Sequence, residues 1–157
     1  MKVEHINPFI DSTVNVISTM TGHTPTRGKL SLKAETVLAF DVSAIIGIAG
    51  DVHGSVVISF PQDVALKVVS SFIGEIKNAL DDDVQDAVGE FVNMIAGGAK
   101  KNLMGTGLRF KLSIPNIVVG AGHKVTRPKN VPCILVPFHI DDVGDFAVEV
   151  SLKEVAP

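Results

Sequence analysis

The residues with most to offer chemically are spaced as Asp86-x3-Glu90-x2-Asn93-x21-Pro115. At roughly 100° per residue, Asp86, Glu90, Asn93 and Gly97 fall on one stripe of a helix, while Val84, Val88, Phe91, Ile95 and Ala99 gather nearly opposite. The apolar side belongs in a core. The other side carries a carboxylate and an amide locked together on one helical face, a combination found nowhere else in the chain. A solvated surface is the ordinary explanation for such a face, and three details weigh against it. Asn93 lies in mid-helix, where its short amide competes with the backbone and Glu, Lys or Gln would serve solubility better. Gly89, Gly97 and Gly98 sit in the same helix, and each costs roughly 1 kcal/mol relative to alanine where exposed. Gly97 falls on the stripe itself, one turn beyond Asn93. A helix that gives up local stability to keep a flat, small-residue surface around Glu90 and Asn93 reads as a docking face.

The elements that must position this face follow from the surrounding pattern. Asn7 is a candidate cap and Pro8 a first-turn residue for a helix in which Phe9, Thr13, Val16, Ile17 and Met20 recur at helical spacing, and Gly22 ends it. An edge strand is expected over 28–33, a longer strand over 37–49, a turn over 50–54 and a return strand over 55–60, forming a hairpin. Pro61 opens a second helix through Phe72, with Asp63 in its first turn to complement the helix dipole. Asp81, Asp82 and Asp83 start the third helix, which runs to about Leu103 with Lys100 and Lys101 near its C-terminal end. Strands are expected at 109–113, 116–120, 134–140 and 146–152, with residues 141–145 as a second hairpin turn. The pattern describes one α/β (α+β) domain over residues 1–157, its sheet mostly antiparallel and packed by long helices. Val14-Asn15-Val16-Ile17 on the first helix echoes Val92-Asn93-Met94-Ile95 on the third, and a long hairpin with an Asp-Val turn follows each. A duplicated half packed about a pseudo-twofold accounts for both, although short apolar tetrapeptides also match by chance.

Composition narrows the function classes. The chain has 157 residues, 46% hydrophobic and 20% charged, enough for a core without staples and too apolar for disorder. No apolar run reaches about 18 residues and no basic-then-apolar leader is present, which argues against a membrane span or secretory signal. A single cysteine, Cys133, excludes an internal disulfide framework and reads as a buried inert thiol, consistent with a cytoplasmic address. A formal net charge of −3, with no Trp or Tyr, argues against nucleic acid. His5, His23, His53, His123 and His139 stand at no metal-ligand spacing to one another or to Cys133, so no metal site is expected. The pairs Gly105/Gly107 and Gly120/Gly122 complete no nucleotide-binding fingerprint and read as turns, and Gly-x-Ser-x-Gly is absent.

The spacing Asp86-x3-Glu90-x2-Asn93-x21-Pro115, with its distant proline, resembles the signature of the CheC/CheX/FliY family of phosphatases, which dephosphorylate the phospho-aspartate of CheY-type response regulators. Residues 86–100, the N-terminal Asn7-Pro8-Phe9-Ile10 and the segment Ile45–Asp51 resemble the CheX branch, and the likeness runs over essentially the whole chain. It implies a CheC-like fold. It also implies that Glu90 pairs with a receiver lysine and that Asn93 inserts its amide to orient the attacking water, with Asp86, Gly97 and Pro115 in support. The implied partner is a phosphorylated CheY-like receiver that holds the Mg²⁺ itself, so the chain has no cofactor of its own. CheC-type members carry a second site on the first helix. Aligning Asn15 with Asn93 puts Ser12 at the glutamate position and Pro8 at the Asp86 position, with Asp11 about 100° away. The first helix therefore resembles a degenerate copy, and the single-site CheX form, whose relatives are homodimers joined at sheet edges, is the better match. The rival expectation is a receiver-binding adaptor or flagellar-switch-like module without chemistry.

Overall fold

The computed structural model describes residues 3–32, 40–125 and 130–155. Three helices lie against one antiparallel sheet. In chain order the elements are α1 (Val3–Thr21), β1 (Thr26–Arg27), β2 (Ser31–Leu32), β3 (Phe40–Gly50), β4 (Val52–Phe60), α2 (Gln62–Ile73), α3 (Asp82–Met104), β5 (Phe110–Leu112), β6 (Asn116–His123), β7 (Cys133–Ile140) and β8 (Gly144–Glu154). The sheet runs β1-β7-β8-β4-β3-β5, with β2 also on β7 and β6 also on β3. This order is symmetric about the β8–β4 seam. Each half contributes a helix, two leading strands and a long hairpin, and each half's leading strands pair with the other half's hairpin. The echo in the sequence is therefore a repeat in the fold, and α2 is the insertion that breaks its symmetry.

The core follows from strand periodicity. Val42, Ala44, Ile46 and Ile48 of β3 point one way with Val56, Ile58 and Phe60 of β4 and Val148, Val150 and Leu152 of β8, and all are buried. On this face lie Phe9, Val16 and Ile17 of α1, Val64 and Val68 of α2, and Val84, Val88, Phe91, Ile95 and Ala99 of α3. Phe146 stacks on Phe60 and Phe138 with ring centroids 5.0 and 5.1 Å apart.

Several expectations about boundaries need correction. Helix α1 starts at Val3 and runs through Pro8, so Asn7 is not its cap. Proline has no N–H and so removes one backbone hydrogen bond near the start of the helix, while burial of Ile6, Phe9 and Ile10 on the same turns holds the helix together. The first hairpin reverses more tightly than expected, with β4 already beginning at Val52. Asp51 is pinned from both sides: its N–H donates to the Arg109 carbonyl (2.8 Å), its carboxylate accepts the Arg109 N–H (2.9 Å), and its carbonyl accepts from Val155 (3.0 Å). Gly54 lies inside β4, its backbone so close to the Ser151 carbonyl that any Cβ would overlap it. Of the expected edge strand over 28–33 only β2 (Ser31–Leu32) is strand, with β1 just before the expected range, and both pair with β7; Lys33 and residues 37–39 lie outside the described residues. Gly120 and Gly122 are in β6, not in a turn. They form a bulge opposite Asp41, where the register slips between Phe40↔His123 and Val42↔Val119.

Helices α1 and α3 meet closely where Ser12 lies against Gly98. The buried Ser12 hydroxyl donates to the Ile95 carbonyl at 2.8 Å, and a Cβ on Gly98 would stand 2.5 Å from that hydroxyl oxygen. Gly98→Ala therefore sets a helix-propensity gain of about 1 kcal/mol against loss of a buried hydrogen bond of similar size. In wild type it should be neutral or destabilising. In a Ser12→Ala background it should stabilise by up to about 1 kcal/mol, and a double-mutant cycle from denaturant unfolding reads the coupling.

Candidate functional site

Helix α3 begins on an acidic cap. The Asp81 carboxylate accepts the Val84 N–H at 3.0 Å, and Gln85 Nε2 donates to the Leu80 carbonyl at 3.0 Å. Lys77 Nζ sits 2.8 Å from Asp81, 3.5 Å from Asp83 and 3.8 Å from Glu75, tying the preceding loop to the first turn. The hydrogen bond from Lys77, then the Val84 amide, holds the Asp81 carboxyl below its ordinary range, and the bond to Asp81 raises the Lys77 ammonium above its own. Beyond the cap, α3 is buried on its sheet side and between α1 and α2. One strip stays open.

Asp86, Glu90 and Asn93 are exposed on that strip, with Gly97 half-buried beyond them. Among the described residues none of the three side chains has a hydrogen-bond or ion-pair partner. On the α2 side, Asp86 and Glu90 line an open groove of about 510 Å³ with Phe72, Ile73, Glu75 and Asp83. Phe72 is held there by a tilted contact with Phe91, centroids 5.1 Å apart. On the opposite side, Pro115 closes the chain between β5 and β6 and comes up against α3. A Cβ on Gly89 would lie 3.0 Å from Ile117 Cδ1 and 3.8 Å from Pro115 Cγ. The structure thus brings together all five sequence-selected positions, including the proline 22 residues downstream of Asn93. Ile114, next to Pro115, is 81% exposed, and periodicity gave no sign of it because it lies in a short irregular connection.

The glycines do not share one purpose. Gly89 makes room for Ile117, Gly98 makes room for Ser12, and only Gly97 has nothing within 4 Å of its Cβ position. The inference of a docking surface therefore rests on Gly97 alone. On α1, Asn15 and Asp11 are exposed, but Ser12 is turned into the α1–α3 seam. Asp11 and Asn15 stand one turn apart and share that exposed face, but no carboxylate stands three residues before the amide as Glu90 does before Asn93.

A second polar cluster was not legible in the sequence. The Ser43 hydroxyl lies 2.7 Å from His123 Nε2 and 2.7 Å from the Ser59 hydroxyl, and His123 Nδ1 lies 2.9 Å from the Gly120 carbonyl. A serine next to a histidine invites a nucleophile reading. However, Ser43 is fully buried within the sheet, so no substrate can reach it. The chain of hydroxyls serves to pin the β6 bulge.

Comparisons with known proteins place the chain in a family. The family model for the chemotaxis phosphatase CheX matches residues 42–139. The chain belongs to the CheX family. It is 32% identical over 155 residues to the CheY-P phosphatase CheX of Thermotoga maritima, covering 98% of both chains. The chemotaxis protein CheX of Vibrio vulnificus superposes with a TM-score of 0.91 at 34% identity, over 96% of this chain and 100% of that one. CheX in the CheX–CheY–BeF3–Mg²⁺ complex from Borrelia burgdorferi superposes with a TM-score of 0.83 at 27% identity, over 98% and 100%. No helix among the described residues is long and apolar enough to cross a membrane.

The cap yields a pH prediction. A depressed carboxyl stabilises the fold above its unfolded-state pKa, and that contribution is lost as pH falls through the folded value. Asp81→Ala should lower the melting temperature at pH 7. The gap to wild type should persist down to about pH 4 and close only below it, as thermal melts across pH 2–7 would register.

Proposed function

We propose that this chain hydrolyses the phospho-aspartate of a CheY-type receiver, with Glu90 as its grip and Asn93 as the group that orients water. The observation that carries the reading is the open strip of α3, where an unpaired carboxylate and an unpaired amide flank a helix surface left bare at Gly97. An acyl phosphate is already activated, so hydrolysis needs a water in line with the phosphorus–oxygen bond and stabilisation of the charge that develops. The Asn93 carbonyl oxygen can accept one hydrogen of that water while its NH2 donates to a phosphoryl oxygen. An amide cannot take the proton, which leaves with the water-derived phosphate as the receiver carboxylate departs. Glu90, with no cation partner among the described residues, is free to pair with a lysine or arginine on the partner.

Pro115 and Gly89 act through position. Their contact fixes the β5–β6 connection against α3, so the Asn93 side of the strip has a firm wall. Asp86 adds to the acidic field on the Glu90 side. Among the described residues no three His, Cys, Asp or Glu side chains are grouped to hold a metal ion, and we assign the Mg²⁺ of this chemistry to the receiver. A receiver substrate implies a cytoplasmic setting. The open sheet edges at β1/β2 and β5/β6 support a homodimer joined strand to strand; light scattering on the purified chain should then give twice the chain mass.

The direct test follows a receiver phosphorylated by a small phosphodonor and measures loss of its acyl phosphate. Asn93→Ala should cut the accelerated rate by about 10²-fold or more. Glu90→Ala should raise the receiver concentration needed for half-maximal rate. Gly97→Leu should fold at least as well as wild type and yet block turnover by covering the strip. Unchanged decay with Asn93→Ala would refute the catalytic assignment, and binding without acceleration in wild type would select the adaptor.

A further inference from the structure

The strip on α3 changes sign across Asn93. Asp86 and Lys100 each stand seven residues from it, two turns or about 10 Å along the axis and within about 20° around it. Asp86 opens onto the acidic groove with Glu75, Asp83 and Glu90. Lys100 opens onto a second cleft, of about 420 Å³, formed with Arg109 and Lys111 of the β5 segment over a floor that includes Met104 and Phe110. Met104 is 54% exposed.

These three cations differ from Lys77, which is surrounded by carboxylates. Lys100, Arg109 and Lys111 have no ion-pair or side-chain hydrogen-bond partner among the described residues. The nearby carboxylate, Asp51, accepts the backbone N–H of Arg109. Three unpaired positive groups around one apolar floor repel one another, and an anionic occupant removes that repulsion.

We propose that this cleft docks an acidic, apolar-bearing surface segment of the same receiver whose phosphoryl group meets Asn93. The substrate class in this inference rests on the phosphatase reading above. A site that holds Mg²⁺ and a phospho-aspartate is built from hard oxygen ligands, so its rim is rich in carboxylates. Such a rim would be repelled by the Asp86–Glu90 half of the strip and by a chain of net charge −3. The basic cleft supplies the missing attraction. With a positive patch two turns to one side of Asn93 and a negative patch two turns to the other, only one orientation of the receiver satisfies both. That orientation brings its lysine to Glu90.

The test compares wild type with Lys100→Glu/Lys111→Glu and with Arg109→Glu, using Lys67→Glu on exposed α2 as a control for net charge. Receiver binding is measured directly by calorimetry, with and without phosphodonor, at several salt concentrations, alongside steady-state dephosphorylation. Reversal in the cleft should weaken receiver binding and raise KM about tenfold or more, flatten the salt dependence and leave kcat unchanged, while Lys67→Glu changes each by about twofold or less. Equal weakening by the control, or unchanged affinity in the cleft variants, would overturn the proposal. So would inorganic phosphate binding in the cleft, seen as product inhibition that the variants relieve without change in receiver affinity. A wild type that binds but does not accelerate decay would sink the phosphatase reading and leave the docking measurement intact.

Discussion

Helix α3 is gripped by α1, α2, the β5–β6 connection and the sheet and left bare along one strip, and the rest of the structure depends on that packing. Against α1 the approach is so close that Gly98 has no room for a methyl group beside Ser12. Against the β5–β6 connection, Gly89 meets Ile117 and Pro115. Against α2, Phe91 meets Phe72. The sheet takes the remaining apolar side chains, Val84, Val88 and Ile95 among them. A helix held this way cannot roll, and rolling is the motion that would carry Asn93 off the open strip. For a group that positions a water, a rigid mount matters more than reactivity.

The same packing separates charge. Acidic groups collect at the N-terminal half of α3, where Asp81 caps the Val84 amide and Asp82 and Asp83 in the first turn suit the helix dipole. Lys100 and Lys101 suit the other end. In an isolated helix this arrangement would contribute only to local stability. Here α2 and β5 are brought alongside, and each end of the dipole pattern becomes one wall of a concave surface. The acidic half gains Glu75 and the basic half gains Arg109 and Lys111.

Much of this was legible in the sequence. The periods of α2 and α3, the acidic start of α3, the two long hairpins and the core-facing set of α3 were legible from residue types and side-chain spacing, because amphipathic patterning reports which face must be buried. The stripe of Asp86, Glu90, Asn93 and Gly97 is legible for the same reason, and its match to the CheX family spacing was specific enough to name the chemistry. Local rules failed where tertiary contacts override them. Pro8 reads as a helix start, yet burial of its neighbours carries α1 back to Val3. Gly120 and Gly122 read as a turn, yet pairing with β3 makes them a bulge. Gly89 and Gly98 read as part of a docking surface, yet their missing methyl groups are filled from within.

By itself, then, the sequence determined the fold class, the helix that bears the site and the side of that helix that faces away from the core. These are one-dimensional properties, set by periodicity and caps. Only the tertiary structure decided which glycine stays open, why Pro115 belongs with residues 86–93, and that Arg109 and Lys111 stand beside Lys100. Those facts depend on which strands pair and how closely helices cross, and such long-range contacts leave no periodic trace in the chain.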